Sequence, residues 1–115
     1  MAAQCIFCRI IGRQAPADIL YQDELVTAFR DNRPIAPTHI LIVPNQHLES
    51  VNQAGKEDEV ALGRLFTTAN RLAAQEGIDQ TGYRLVVNTG KHASQLVFHL
   101  HLHLIGGQPM RYPIG

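Results

Sequence analysis

The sequence predicts an α+β fold: an antiparallel sheet of about five strands, one long helix and a short N-terminal helix. Three observations predict it. Short apolar, β-branched runs bounded by turn residues recur at 19–21, 25–30, 39–44, 83–88 and 97–105. One stretch only, 57–76, keeps a long helical period. The C-terminal run, Phe98-His99-Leu100-His101-Leu102-His103-Leu104, alternates with a period of two. The chain has 115 residues, enough for a single domain spanning 1–115 and too few for two separate cores.

The elements follow in order. Residues 5–12 form a short helix that places Ile6, Ile10 and Phe7 inward and ends at Gly12. Ala15-Pro16-Ala17-Asp18 breaks it. Strands 19–21 and 25–30 make a hairpin around Gln22-Asp23-Glu24. Pro34 and Pro37 keep 31–38 a loop, because each proline fixes its own φ and turns the preceding residue from helix. Residues 39–44 are a buried strand. In the long helix, Leu62, Leu65, Phe66, Ala69, Leu72 and Ala73 share one face, Glu57, Asp58 and Glu59 suit the first turn, and Gly77 caps the end. Strand 83–88, loop 89–94 and strand 97–105 follow; Gly106-Gly107 stop the last strand, and an extended tail closes the chain.

Composition excludes several function classes. With 45% hydrophobic and 17% charged residues the chain is not disordered. Ten basic and ten acidic residues leave no polybasic surface for nucleic acid or anionic lipid. The longest apolar run is the four residues 40–43, so no membrane span is expected. Met1-Ala2-Ala3-Gln4-Cys5 offers no basic or apolar leader, which predicts a cytoplasmic protein. Cys5 and Cys8 form Cys-x-x-Cys: a redox pair, half a metal site, or two buried thiols.

The chemistry concentrates in the histidine run. On a strand, His99, His101 and His103 share one face while Phe98, Leu100, Leu102 and Leu104 face the core. Three imidazoles spaced about 6.6 Å apart can accept protons, attack an electrophile or bind a metal. The loop 90–95 leads into this face, and its backbone amides can cradle an oxyanion. Asp31, ending a strand, can accept two hydroxyl hydrogen bonds, as a ribose diol would offer, or be a solvated loop acid.

His99-Leu100-His101-Leu102-His103-Leu104-Ile105 resembles the histidine-triad signature, and the chain is similar to the HINT branch of that family. Cys5-Ile6-Phe7-Cys8, Pro37-Thr38-His39, Val43-Pro44 ahead of His47, Val87-Asn88, Gly106-Gly107 and Pro113-Ile114-Gly115 fall in the family's order. The resemblance implies a HIT-like fold and hydrolysis of purine nucleoside phosphoramidates through a nucleotidyl-histidine intermediate. It makes His101 the nucleophile, His103 and His99 its triad partners and His39 part of the relay behind them. It gives Asn88 and Gln95 to phosphate or leaving group, Asp31 to the ribose, and Phe7, Phe29 and Leu41 to the base. No catalytic metal is needed.

The resemblance also implies a homodimer joined through the long helix and a sheet strand, and a structural Zn²⁺ held by Cys5, Cys8, His47 and His99. Two departures stand out. Leu96 replaces a serine that contacts phosphate, and Tyr112 replaces a tryptophan that reaches the partner's site. Alternative readings are a nucleotide-sensing module with little turnover, a dinucleoside polyphosphate hydrolase, and a zinc hydrolase using His99 and His101 as ligands.

Overall fold

The computed structural model describes residues 4–115. Helix α1 (Ile6–Ile11) is followed by strands β1 (Ile19–Gln22), β2 (Val26–Arg30) and β3 (Thr38–Pro44), helix α2 (Glu59–Gln75), and strands β4 (Tyr83–Val87) and β5 (Leu102–Gly106). The strands form one antiparallel sheet in the order β1-β2-β3-β5-β4. Five strands, a long helix and a short N-terminal helix are the elements expected.

Helix α2 covers one face of the sheet. Leu65, Ala69, Leu72 and Ala73 meet Ile40, Ile42, Leu100, Leu102 and Leu104 in the main core. The buried stripe differs from the expected one at its edge. Phe66 is half-exposed, and Thr68 takes an interior place instead. The helix lies chiefly over β3, flanked by β2 and β5. The small Ala69 and Ala73 let it approach, and Phe66 falls on its flank. At its end the Gly77 amide bonds the Ala74 carbonyl and the Ile78 amide the Ala73 carbonyl, with Gly77 at φ +75°. That is the glycine cap expected from sequence. At its start a 3₁₀ turn, Lys56–Asp58, precedes the helix, and Asp58 accepts the Gly55 amide at 2.9 Å.

The hairpin turn is fixed by Asp23. It accepts the Leu25 and Val26 amides at 2.8 and 2.9 Å, the Tyr21 hydroxyl at 2.6 Å, and Arg64 from α2. Burial works against its charge, but these donors outweigh burial and hold the carboxyl well below the usual carboxylate range.

The opposite face of the sheet carries a second cluster: Phe7 and Ile10 of α1 against Phe29, Leu41 and Val43. Here the inward pair is Phe7 and Ile10, at i and i+3, while Ile6 is exposed. The largest departure is the last strand, which begins at Leu102 rather than at 97. In the register that pairs Ile42 with Leu102, the next partner of Leu100 would be Pro44, which has no amide hydrogen. The ladder ends there, and the Leu100 amide instead bonds the Leu48 carbonyl at 2.7 Å. Leu100, Leu102 and Leu104 still face the core, but Phe98 is exposed and does not.

Candidate active site

The face opposite α2 carries a cleft of about 1240 Å³. Strand alternation builds its floor. His39 and Leu41 of β3, Phe29 of β2, His103 and Ile105 of β5, and Arg84 and Val86 of β4 point to this side and line it. Phe7 closes one wall, edge-on to Phe29 at 5.4 Å between centroids. Asp31, Asn88 and His101 lie along the rim and floor.

The hydrogen bonds assign a proton to each imidazole. The Ile35 amide donates to His39 Nδ1 at 3.2 Å, so that nitrogen carries no hydrogen. His39 Nε2–H then donates to His103 Nδ1 at 2.9 Å, with Asp31 Oδ2 also 3.4 Å from the same nitrogen. His103 is left with a hydrogen on Nε2. His101 Nδ1–H donates to the His99 carbonyl at 2.7 Å, which leaves Nε2 with a free lone pair. The His101 and His103 rings lie 4.9 Å apart between centroids. An electron-pair donor therefore sits beside a hydrogen-bond donor at the cleft floor.

Burial keeps these rings neutral. It lowers His101 from the ordinary imidazole value. It lowers His103 to about 4, aided by the neighbouring His101 and His39. It lowers His39 too, against the pull of Asp31. A buried neutral imidazole is the form that can attack an electrophile at neutral pH.

His99 is different. It is fully buried and does not line the cleft. Its Nε2–H donates to the Pro44 carbonyl at 2.8 Å, which frees Nδ1. That atom lies 3.4 and 3.5 Å from the Cys5 and Cys8 sulfurs and 3.1 Å from His47 Nδ1, and Cys8 Sγ is 3.3 Å from His47 Nδ1. The ring of His99 is turned away from the cleft, so the expectation that three imidazoles share one face is corrected to two. His99 and His101 do not converge on one ion either, since their unprotonated nitrogens serve different sites.

All four donor atoms of Cys5, Cys8, His47 and His99 lie within 4.8 Å of one another, a possible metal site. A tetrahedral S₂N₂ shell with bonds of about 2.0–2.3 Å has edges of roughly 3.3–3.8 Å, close to the separations found. The Nε2–H of His99 anchored on a carbonyl is the outer support such a ligand needs. Burial pushes the Cys8 thiol up to about 11, helped by the hydrogen bond and charge of Cys5. A divalent cation would supply the charge that favours its thiolate. Both cysteines are free of disulfide. Asp31, His39 and His103 also converge, but His39 and His103 bond each other directly.

Of the other expected site residues, Asp31 accepts the Arg33 amide at 2.8 Å through Oδ1 and keeps lone pairs toward the cleft. Gln95 is corrected. Its Oε1 accepts the Gly90 amide at 2.9 Å, and its Nε2 donates to the Glu49 and Val97 carbonyls at 2.7 and 3.0 Å. It is buried, does not line the cleft, and its side-chain amide is committed to main-chain groups around the 90–95 loop. Leu96 projects at the cleft mouth, 86% exposed. Arg84, unnoticed in the sequence, lines the cleft and donates to the Tyr112 carbonyl at 2.8 Å, drawing the tail over the site. The signal was present: in an antiparallel β4, Arg84 shares a face with Val86 and the triad. His92 is exposed, as expected.

The chain resembles known proteins along nearly its whole length. It is 56% identical over 110 residues to a purine nucleoside phosphoramidase of Escherichia coli, covering 96% of this chain and 92% of the relative. A HIT family hydrolase from Legionella pneumophila superposes with a TM-score of 0.93 at 42% identity, covering 97% of this chain and all of that one. A zinc-bound histidine triad family protein from Mycobacterium smegmatis superposes with a TM-score of 0.81 at 31% identity, covering 94% of this chain and 78% of that one. Residues 12–110 match the HIT domain. With its two cleft-facing triad imidazoles on a five-stranded sheet and these relatives beside it, the chain belongs to the HIT domain family.

Proposed function

We propose that this chain is a hydrolase of purine nucleoside phosphoramidates and releases the nucleoside monophosphate through a covalent nucleotidyl-His101 intermediate. The observation that carries this is the 2.7 Å bond from His101 Nδ1–H to the His99 carbonyl, which leaves Nε2 as the free nucleophile. The Nε2 lone pair forms a bond to the α-phosphorus as the phosphorus–nitrogen bond to the leaving amine breaks, and the amine nitrogen takes a proton from solvent as it departs. The positive charge on His101 is met by the His99 carbonyl. His103 Nε2–H donates to a phosphoryl oxygen in flight. Water then adds to phosphorus, loses a proton to solvent, and returns the bonding pair to His101. Asp31 holds the ribose hydroxyls, Phe7, Phe29 and Leu41 the base, and Asn88 a phosphate oxygen. Rapid quench and intact mass of the protein with adenosine phosphoramidate should reveal a nucleotidyl adduct on His101; turnover with no adduct at any time would overturn the scheme.

Zinc is the ion the Cys5, Cys8, His47 and His99 set is suited to hold. Its role there is to tie the N-terminal helix to the sheet; the reaction above uses side chains and the His99 carbonyl of the chain itself. The four ligands leave His101 and His103 free. Free thiols at these positions suit a reducing, cytoplasmic compartment. Among the described residues, no helix is long and apolar enough to cross a membrane.

A second copy of the chain is the proposed partner. Helix α2 exposes Val60 and Phe66, and β4 is a sheet edge whose groups can continue into another sheet. Sedimentation should give twice the chain mass, and an added charge at Phe66 should lower it; a monomer at micromolar concentration would remove this reading.

A further inference from the structure

We infer that the Cys5–Cys8–His47–His99 cluster governs nucleotide affinity, with Phe7 as the positioning residue that transmits its state. The inference deepens the proposed function, since it concerns the same base wall. Helix α1 has six residues, too few to be stable alone. It is held by the packing of Phe7, Ile10 and Ile11, by a 2.9 Å hydrogen bond from Gln22 Nε2 to the Ile11 carbonyl at its C-terminal end, and by Cys5 and Cys8 at the cluster on its N-terminal side. Phe7 lies between those two cysteines in sequence. Its ring stands edge-on to three groups at once. These are the cluster ligand His99 at 5.9 Å, the nucleophile His101 at 5.1 Å and the base-wall Phe29 at 5.4 Å between centroids.

A cation bound by both sulfurs therefore fixes the backbone on either side of the aromatic wall. Without it, α1 keeps its apolar packing and the Gln22 bond at its far end, and the Cys5–Cys8 turn that carries Phe7 loses its tether. The main core between α2 and the sheet contains no α1 residue. The cluster is also reachable from outside. A surface cleft of about 450 Å³, adjoining the catalytic one at Ile6, Leu96 and Val97, is lined by Cys5 and His47 beside Glu49 and Phe98. Two of the four ligands, Cys5 and His47, are thus open to solvent.

The test uses the full chain, loaded with one zinc or stripped by a chelator, and AMP as the probe. Calorimetry should give an AMP Kd at least fivefold weaker for the stripped protein. Zinc should bind tighter by the same factor when AMP is saturating, since coupling is reciprocal. Hydrogen exchange should rise in 5–11 on stripping and stay unchanged in β3 and β5. Phe7→Leu, which keeps all four ligands, should still bind zinc but lose the metal dependence of AMP affinity to within twofold.

AMP affinities equal within twofold in loaded and stripped wild type would overturn the inference. So would undiminished coupling in Phe7→Leu, failure to take up zinc, or loss of protection throughout the sheet on stripping, which would make the cluster a folding staple only. None of these readings depends on turnover, so an inactive but metal-coupled protein would refute the hydrolase reading alone.

Discussion

His39 Nε2 lies 2.9 Å from His103 Nδ1, and this one bond decides which face of His103 carries a hydrogen. His39 in turn takes its tautomer from the Ile35 amide. His39→Ala should leave His103 free to adopt either tautomer and lower kcat roughly 10- to 100-fold. KM should change little, because His39 acts through its neighbour. His39→Gln, able to donate through its amide, should recover part of the rate. Steady-state kinetics of the two variants would check this, and equal losses in both would argue against tautomer control.

Removing the nucleophile gives the sharpest kinetic test. His101→Gly should reduce turnover by roughly 10⁴-fold or more while AMP still binds, since the base and ribose contacts come from other residues. Single-turnover assays paired with calorimetry separate the two effects.

The neutral histidines make stability fall in acid. His103 is neutral when folded down to about 4, whereas in the unfolded chain it protonates near 6.5. Between those values the unfolded state binds more protons, so stability declines as pH falls, by up to about 1.4 kcal/mol per pH unit for this group. The loss starts near 6.5 and levels off below about 4. Urea midpoints taken from pH 7.5 downward should fall through this window, with a shallower slope for His103→Gln.

Leu96→Ser would restore a hydroxyl at the cleft mouth. One added hydrogen bond to the transferring phosphoryl group is worth about 1 kcal/mol, so kcat/KM should rise roughly fivefold. The gain should vary with the leaving amine. AMP affinity should stay the same, and kcat/KM across a panel of amines is the measurement. A negligible rate in wild type and a clear rate in the variant would favour the sensor reading of the natural chain.

Thr68 is the only residue, among those described, with a buried side-chain oxygen that has no partner. Thr68→Val keeps its shape and helix propensity but removes that hydroxyl. A gain of about 1 kcal/mol is expected, read as a higher denaturant midpoint at unchanged slope.

Periodicity made much of this molecule legible. The alternation of 99–104 put leucines on the core and imidazoles opposite, and the spacing of Leu65, Ala69 and Leu72 located α2 on one face. What pattern could not carry was pairing. No feature local to 97–101 says that Pro44, more than fifty positions earlier, ends the ladder opposite Leu100. The placement of His99 and Gln95 off the cleft escapes pattern for the same reason, because each is set by partners distant in sequence: Pro44 and Cys5 for one, Glu49 for the other. Phe66 and Phe98 show a different limit. Hydrophobicity marks a residue as able to be buried, and the positions of neighbouring elements decide whether it is.

Pro44 has a consequence beyond ending a strand. Its missing hydrogen lets the backbone leave the sheet between Leu100 and Leu48, while its carbonyl steadies the ring of His99. Adjacent odd-numbered histidines can therefore look in separate directions, one toward sulfur and the next toward phosphorus. Any other amino acid at 44 would offer Leu100 a rung to climb back onto. A single substitution at 44 would then disturb both centres together.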